Sequence, residues 1–223
     1  MNQMIKNVYT TARKSTIPTQ WIHEEQPSSV LCIMLPGKGY TTQRPLFHYA
    51  TSALRNQGVD ILHINYDYSE NEAFNSSSHA QQDQWMYEDV NEIVQSFLQE
   101  QSYDQVIWFS KSIGTIPMAL GWKEGFQTDT TVCGIWLTPL LNEERVCESI
   151  QASRVPSLVI IGDQDFVYEQ EKLDQLTSEH VQSRVIPGAN HGLEIEGNTM
   201  VSIDTMKSVI QYIHEVVSKT KKG

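Results

Sequence analysis

A chain of 223 residues, 39% hydrophobic and 19% charged, is long enough to bury one medium α/β core and has the composition of an ordinary globular protein. Its formal net charge of -11 argues against a nucleic-acid face, which needs basic residues, and against attraction to an anionic membrane surface. Cys32, Cys133 and Cys147 are odd in number and show no Cys-x-x-Cys spacing, which points to plain thiols rather than a disulfide framework or a zinc site.

The first segment, MNQMIKNVYTTARKS, has no long apolar run and so does not read as a secretory signal. No stretch approaches the roughly 20 apolar residues of a membrane helix, so the expected location is the cytoplasm. NVYTTARK and TQWIHEE are polar and rich in β-formers, and they read as an antiparallel pair at a sheet edge. Strand-length apolar runs follow at 29–35, 59–66, 105–110, 131–138, 156–162 and 183–188. Most are continuous rather than alternating, the pattern of strands buried on both faces of a parallel sheet.

Helical periods lie between those runs. PLFHYATSALRNQG repeats apolar residues three and four apart and is capped at Gly58. QWMYEDVNEIVQSFLQEQ carries Trp85, Val90, Ile93, Val94, Phe97 and Leu98 on one stripe. SIGTIPMALGW is almost wholly apolar, and its Pro117 is tolerable only near the first turns of a helix. NEERVCESIQA, YEQEKLDQLTS and MVSIDTMKSVIQYIHEVVSK complete the set. Alternating strand and helix imply right-handed crossovers and a mostly parallel sheet with helices on both faces. No linker divides the chain, so residues 1–223 are expected to form a single domain.

Open α/β sheets bind ligands beyond the carboxyl ends of their strands. Four such ends carry informative residues. The first buried strand is followed by Pro36-Gly37-Lys38-Gly39-Tyr40, and the strand at 105 by Lys111-Ser112-Ile113-Gly114. The strand at 156 ends in Gly162-Asp163-Gln164-Asp165, and the last one in Pro187-Gly188-Ala189-Asn190-His191-Gly192. A serine, a carboxylate and a histidine thus stand at strand ends in that chain order. Either Asp163 or Asp165 is available as the acid, with Glu143 as a remote third. The remaining histidines lack metal-ligand spacing, and no metal or organic cofactor is implied.

The bend at Ser110-Lys111-Ser112-Ile113-Gly114 passes from a buried strand to a buried helix. It resembles the nucleophile elbow of the α/β-hydrolase superfamily, in which a tight turn lifts a serine hydroxyl clear of the sheet. The usual pattern is Gly-x-Ser-x-Gly; here Ser110 replaces the first glycine and stays small. The resemblance covers roughly residues 25 to 220. It implies an α/β-hydrolase fold with antiparallel strands at the N-terminal edge, Ser112 as nucleophile and His191 as base. It favours Asp165 as the acid, because that position lies three residues after Gly162. The backbone N–H of Ile113 is then one oxyanion donor, and a second is expected from the glycine-rich loop, at Lys38. Gly37 and Gly39 would let that backbone approach a substrate, with Tyr40 and Lys111 as neighbouring substrate contacts.

Two departures from the family bear on substrate. Only PLLN separates the strand ending near Thr138 from the next helix, so no cap domain fits there. The segment 67–81 is longer than a plain turn and is expected to cover part of the pocket. Lys38, Lys111 and Arg44 flank the expected site and are candidates for attracting an anionic acyl or leaving group. The resemblance implies a serine hydrolase acting on small carboxylic esters. A peptidase, amidase or acyltransferase would use the same three side chains, and a binding protein on a hydrolase scaffold is the reading from another class. Related dehalogenases and epoxide hydrolases carry Asp where Ser112 stands, and dienelactone hydrolases typically carry Cys.

Overall fold

In a computed structural model, residues 3–126 and 129–220 are described. Residues 1–2, 127–128 and 221–223 of the expected 1–223 domain lie outside them. Among the described residues, eight strands form one sheet in the order β1-β2-β4-β3-β5-β6-β7-β8. They are β1 (Gln3–Thr10), β2 (Thr16–His23), β3 (Val30–Leu35), β4 (Asp60–Ile64), β5 (Gln105–Lys111), β6 (Thr131–Leu137), β7 (Ser157–Gly162) and β8 (Val181–Ile186). β1 and β2 pair antiparallel, as do β2 and β4, and every later pairing is parallel. The N-terminal antiparallel edge is therefore where the polar β-rich segments place it.

Among the described residues, seven α-helices accompany the sheet: α1 (Pro45–Arg55), α2 (Glu72–Asn75), α3 (His79–Glu100), α4 (Thr115–Glu124), α5 (Glu144–Gln151), α6 (Gln170–Leu176) and α7 (Thr199–Thr220). The pleat divides each central strand between two cores. Leu31, Ile33 and Leu35 of β3 join the layer of α3, α4, α5 and α6. Val30, Cys32 and Met34 join the layer of α1 and α7. All six are buried, so the run shows no alternation of polar and apolar residues. Each of the Val, Leu, Ile and Met side chains among them contributes about 1.5–3 kcal/mol by leaving water. The three cysteines are free thiols, Cys32 and Cys133 buried among these apolar layers.

Several boundaries differ from the sequence reading. The last strand ends at Ile186 rather than at 188, because Pro187 has no N–H to give to a ladder and Gly188 turns the chain at a φ of +72°. α3 begins at His79, ahead of the expected 84. Ser78 and Gln81 form a reciprocal capping box, which satisfies the free N–H groups of the first turn. The four-residue α2 was not expected. It is too short to show a period, and Asn71 holds its start by accepting from Phe74 N–H at 3.0 Å.

Candidate active site

Ser112 sits where β5 ends against both neighbours. Ser110 pairs with Leu35 of β3 and Trp136 of β6, and Lys111 pairs with Leu137. The chain then turns through a 3-10 turn, Ser112–Gly114, into α4. Ser112 itself has a φ of +54°, a left-handed conformation for a residue with a side chain. Such strain costs about 1–3 kcal/mol and persists only where the surroundings impose it. Here Thr115 Oγ donates to the Ser112 carbonyl at 2.6 Å, and the backbone on either side is closely approached. A Cβ on Gly114 would meet Leu35 O at 2.4 Å, Pro36 O at 2.7 Å and the Tyr66 hydroxyl at 2.8 Å. A Cβ on Gly37 would lie 3.1 Å from Ser112 Cβ. Ser110 departs from the usual glycine without a clash, because its Oγ turns toward Ile135 O, 3.5 Å away on β6.

Asp165 and His191 arrive from the next two loops. Gly162 has no side chain, and a Cβ there would stand 1.9 Å from Ala189 O. That bare backbone lets the loop after β8 dock on the loop after β7, where Gln164 N–H donates to Ala189 O at 3.0 Å. His191 Nδ1 then lies 2.8 Å from Asp165 Oδ2, and His191 Nε2 lies 2.7 Å from Ser112 Oγ. An ionised carboxylate only accepts, so Nδ1 carries the hydrogen and Nε2 offers its lone pair to the serine hydroxyl. The Asp165 side chain is fully buried and its other oxygen accepts from Val167 N–H at 3.1 Å, while His191 keeps 24% of its side chain exposed. The arrangement can move a proton from Ser112 to an imidazole already oriented for it.

The rival acids are occupied elsewhere. Asp163 Oδ1 accepts from Gly188 N–H at 2.7 Å, and Glu143 lies 3.7 Å from Arg145. Ile113 stands second in the 3-10 turn, where the first N–H groups have no carbonyl of the turn to bond. Lys38 is exposed in the loop between Gly37 and Gly39, the latter at a φ of +65°. Tyr40 is half-buried, its hydroxyl accepting from Leu46 N–H at 3.4 Å. Burial raises its pKa.

Lys111, expected as a substrate contact, is buried. It is 1% exposed, and Nζ donates to Thr138 Oγ at 3.0 Å and to the His191 main-chain carbonyl at 2.7 Å. It lies inside the wall of the site, with its ammonium turned to these two oxygens. Burial lowers its pKa to about 8, against the pull of Asp165 and Glu194.

Four residues contribute in ways that the sequence reading did not assign. Asn190 Oδ1 accepts from Gly192 N–H at 2.8 Å and Glu194 N–H at 3.2 Å, which shapes the turn presenting His191. An asparagine in a glycine-flanked turn was a legible signal. Gly162 was legible as the end of its strand but not as the docking point for the next loop, and Thr138 and Phe166 gave no signal. The Phe166 ring is 77% exposed and stands 4.6 Å from the His191 ring, centre to centre. The segment after β4 folds over Ile113 through Tyr66, Tyr68, Phe74 and Met86. Among the described residues, no group of three or more His, Cys, Asp or Glu is placed to hold a metal ion. No helix among them is long and apolar enough to cross a membrane.

No curated protein sequence matches the chain. Solved structures resemble it at low identity. Est1E of Butyrivibrio proteoclasticus with ferulic acid bound superposes with a TM-score of 0.73 at 13% identity, covering 96% of this chain and 99% of that one. The dienelactone hydrolase of Anabaena variabilis gives 0.72 at 15% identity, covering 98% of each chain. An esterase of Pyrococcus furiosus gives 0.72 at 13% identity, covering 98% of this chain and 93% of that one. These likenesses concern the fold. Residues 28–220 match the family described as an alpha/beta hydrolase domain. That match runs from the approach to β3 through the end of α7 and takes in every strand end described above, and the chain belongs to the alpha/beta hydrolase family.

Proposed function

We propose that the protein is a serine hydrolase that cleaves small carboxylic esters through an acyl-enzyme, with Ser112 as nucleophile, His191 as base and Asp165 as its orienting acid. The observation that carries this reading is the unbroken relay from Asp165 Oδ2 to His191 to Ser112 Oγ, at 2.8 and 2.7 Å. His191 Nε2 takes the hydroxyl proton as Oγ attacks the ester carbonyl. The C–O bond to the alcohol then breaks, and His191 returns the proton to the departing oxygen. Water repeats the sequence on the acyl-enzyme and releases the carboxylic acid. The oxyanion is held by the N–H groups of Ile113 and Lys38; the nearness of Gly37 to Ser112 supports that pairing.

The chain acts as one domain without a cap in this reading. Residues 138–143 alone join β6 to α5, and the short α2 segment is the cover beside Ile113. That favours small esters over long-chain lipids, which need a broad apolar roof.

The test is turnover of p-nitrophenyl acetate and labelling by a fluorophosphonate probe. Ser112→Ala should abolish both. Labelling that persists in Ser112→Ala would remove Ser112 from the role.

A further inference from the structure

We propose that Lys111 is a positioning residue for His191: its side chain fastens the loop that carries the imidazole to the strand that carries Ser112. This inference rests on the serine-hydrolase reading. Lys111 ends β5 and directly precedes Ser112. Its side chain runs inward, and three loops meet at its amino group. The loop after β6 supplies Thr138 Oγ at 3.0 Å, and the loop after β8 supplies the His191 carbonyl at 2.7 Å. The loop after β3 supplies the Tyr40 ring, whose centre lies 4.9 Å away.

A lysine is among the residues least often buried, because its charge loses water there. A hydrocarbon side chain would fill the same space without that loss. What the ammonium adds is a pair of charge-assisted hydrogen bonds, roughly twice as strong as neutral ones. One of them ends on the backbone of His191. Thr138 holds a φ of +40°, which a β-branched residue avoids, and its hydroxyl is spent on Lys111. His191 is therefore held twice, at the ring by Asp165 and at the backbone by Lys111. Releasing the second hold lets the imidazole drift from Ser112, and a displacement of about 1 Å costs on the order of 100-fold in rate.

The groups facing Lys111 are Asp165 from the loop after β7, His191 and Glu194 from the loop after β8, and Tyr40 from the loop after β3. Burial brings the lysine's loss of charge to about pH 8, whereas it moves Tyr40 upward and out of that range. Above that pH the donor is neutral and the hold weakens.

The experiment is a pH–rate profile of the full-length protein on p-nitrophenyl acetate, for wild type, Lys111→Met and Thr138→Val. In wild type, kcat should fall on an alkaline limb near pH 8. In Lys111→Met, kcat at pH 7 should drop about 10- to 100-fold with KM within about twofold, and the alkaline limb should vanish. Thr138→Val keeps the amine but removes one acceptor, so its limb should move to lower pH. A Lys111→Met enzyme with wild-type kcat, or with its limb intact, overturns the proposal. Should Lys111→Met not fold, the Thr138→Val limb decides, and an unmoved limb overturns it. Failure of the hydrolase reading looks different: there Ser112→Ala keeps its turnover and labelling, whatever Lys111 does.

Discussion

Asp163 and Asp165 stand two residues apart in the loop after β7, yet their carboxylates serve opposite ends of the same neighbouring loop. Asp165 Oδ2 meets the His191 ring at 2.8 Å, and Asp163 Oδ1 accepts from Gly188 N–H at 2.7 Å. The first contact orients a ring and the second shapes a turn. Asp165→Asn should therefore lower kcat about 10³- to 10⁴-fold, because an amide no longer selects the tautomer that leaves Nε2 free. Asp163→Asn should leave kcat within about threefold and cost roughly 1 kcal/mol of stability. Steady-state kinetics and urea melts on both variants check this, and the reverse ranking of kcat would move the acid to Asp163.

The two small positions around Ser112 are not equivalent. Ser110→Gly restores the usual family pattern, removes a long 3.5 Å contact and adds chain entropy. It should cost about 0.5–1 kcal/mol and leave kcat unchanged. Gly114→Ala drives a methyl to within 2.4 Å of Leu35 O. It should cost about 1–3 kcal/mol and lower kcat as the bend shifts. Thermal melts and kinetics separate them; equal losses would mean that the backbone crossing at Gly114 does not set the turn.

Phe166 places an exposed ring against His191, with ring centres 4.6 Å apart. An aromatic ring pair is worth about 0.5–1.5 kcal/mol, roughly 2- to 13-fold in binding. Phe166→Ala should raise KM for aryl esters by about that factor and leave KM for small alkyl esters near wild type. The comparison is a matched series of aryl and alkyl acetates. A uniform rise across both would take the ring out of the substrate surface.

His63 gives the fold a pH dependence of its own. It is 4% exposed in β4, with Nε2 2.9 Å from Thr51 Oγ, and burial lowers its pKa from 6.5 to about 4. As pH falls, the unfolded chain takes up this proton before the folded one. The stabilisation from the neutral ring is complete above pH 6.5 and is lost progressively as pH falls toward 4. Its size is on the order of 3 kcal/mol. Urea midpoints at pH 7, 5.5 and 4.5 should fall more steeply for wild type than for His63→Gln. Parallel slopes would assign the acid sensitivity to other groups.

Much of the architecture was written locally. Continuous apolar runs such as Val30–Leu35 can satisfy both faces of a central strand and little else, and the polar N-terminal segments fit only an edge. Ser112, Gly114, Asp165 and His191 were readable because each follows a strand that the pattern marks. The start of α3 was less legible: its signal is a capping box, Ser78 with Gln81, inside a stretch of small polar residues. The burial of Lys111 was not legible, for a physical reason. A lysine's charge predicts solvent, and only the partners that surround it here make an interior position tolerable.

By itself the sequence determined the alternation of strands and helices, the order of the chemical groups and the small residues that permit a sharp bend. These follow from short-range forces: side-chain period, turn preference and the bulk of a Cβ. The tertiary structure alone decided which aspartate faces His191, how residues 79 positions apart come within 2.7 Å, and where the Lys111 charge ends. Those outcomes depend on strand register and on how far each loop projects beyond the sheet, to within a fraction of an ångström, and no local pattern carries that information.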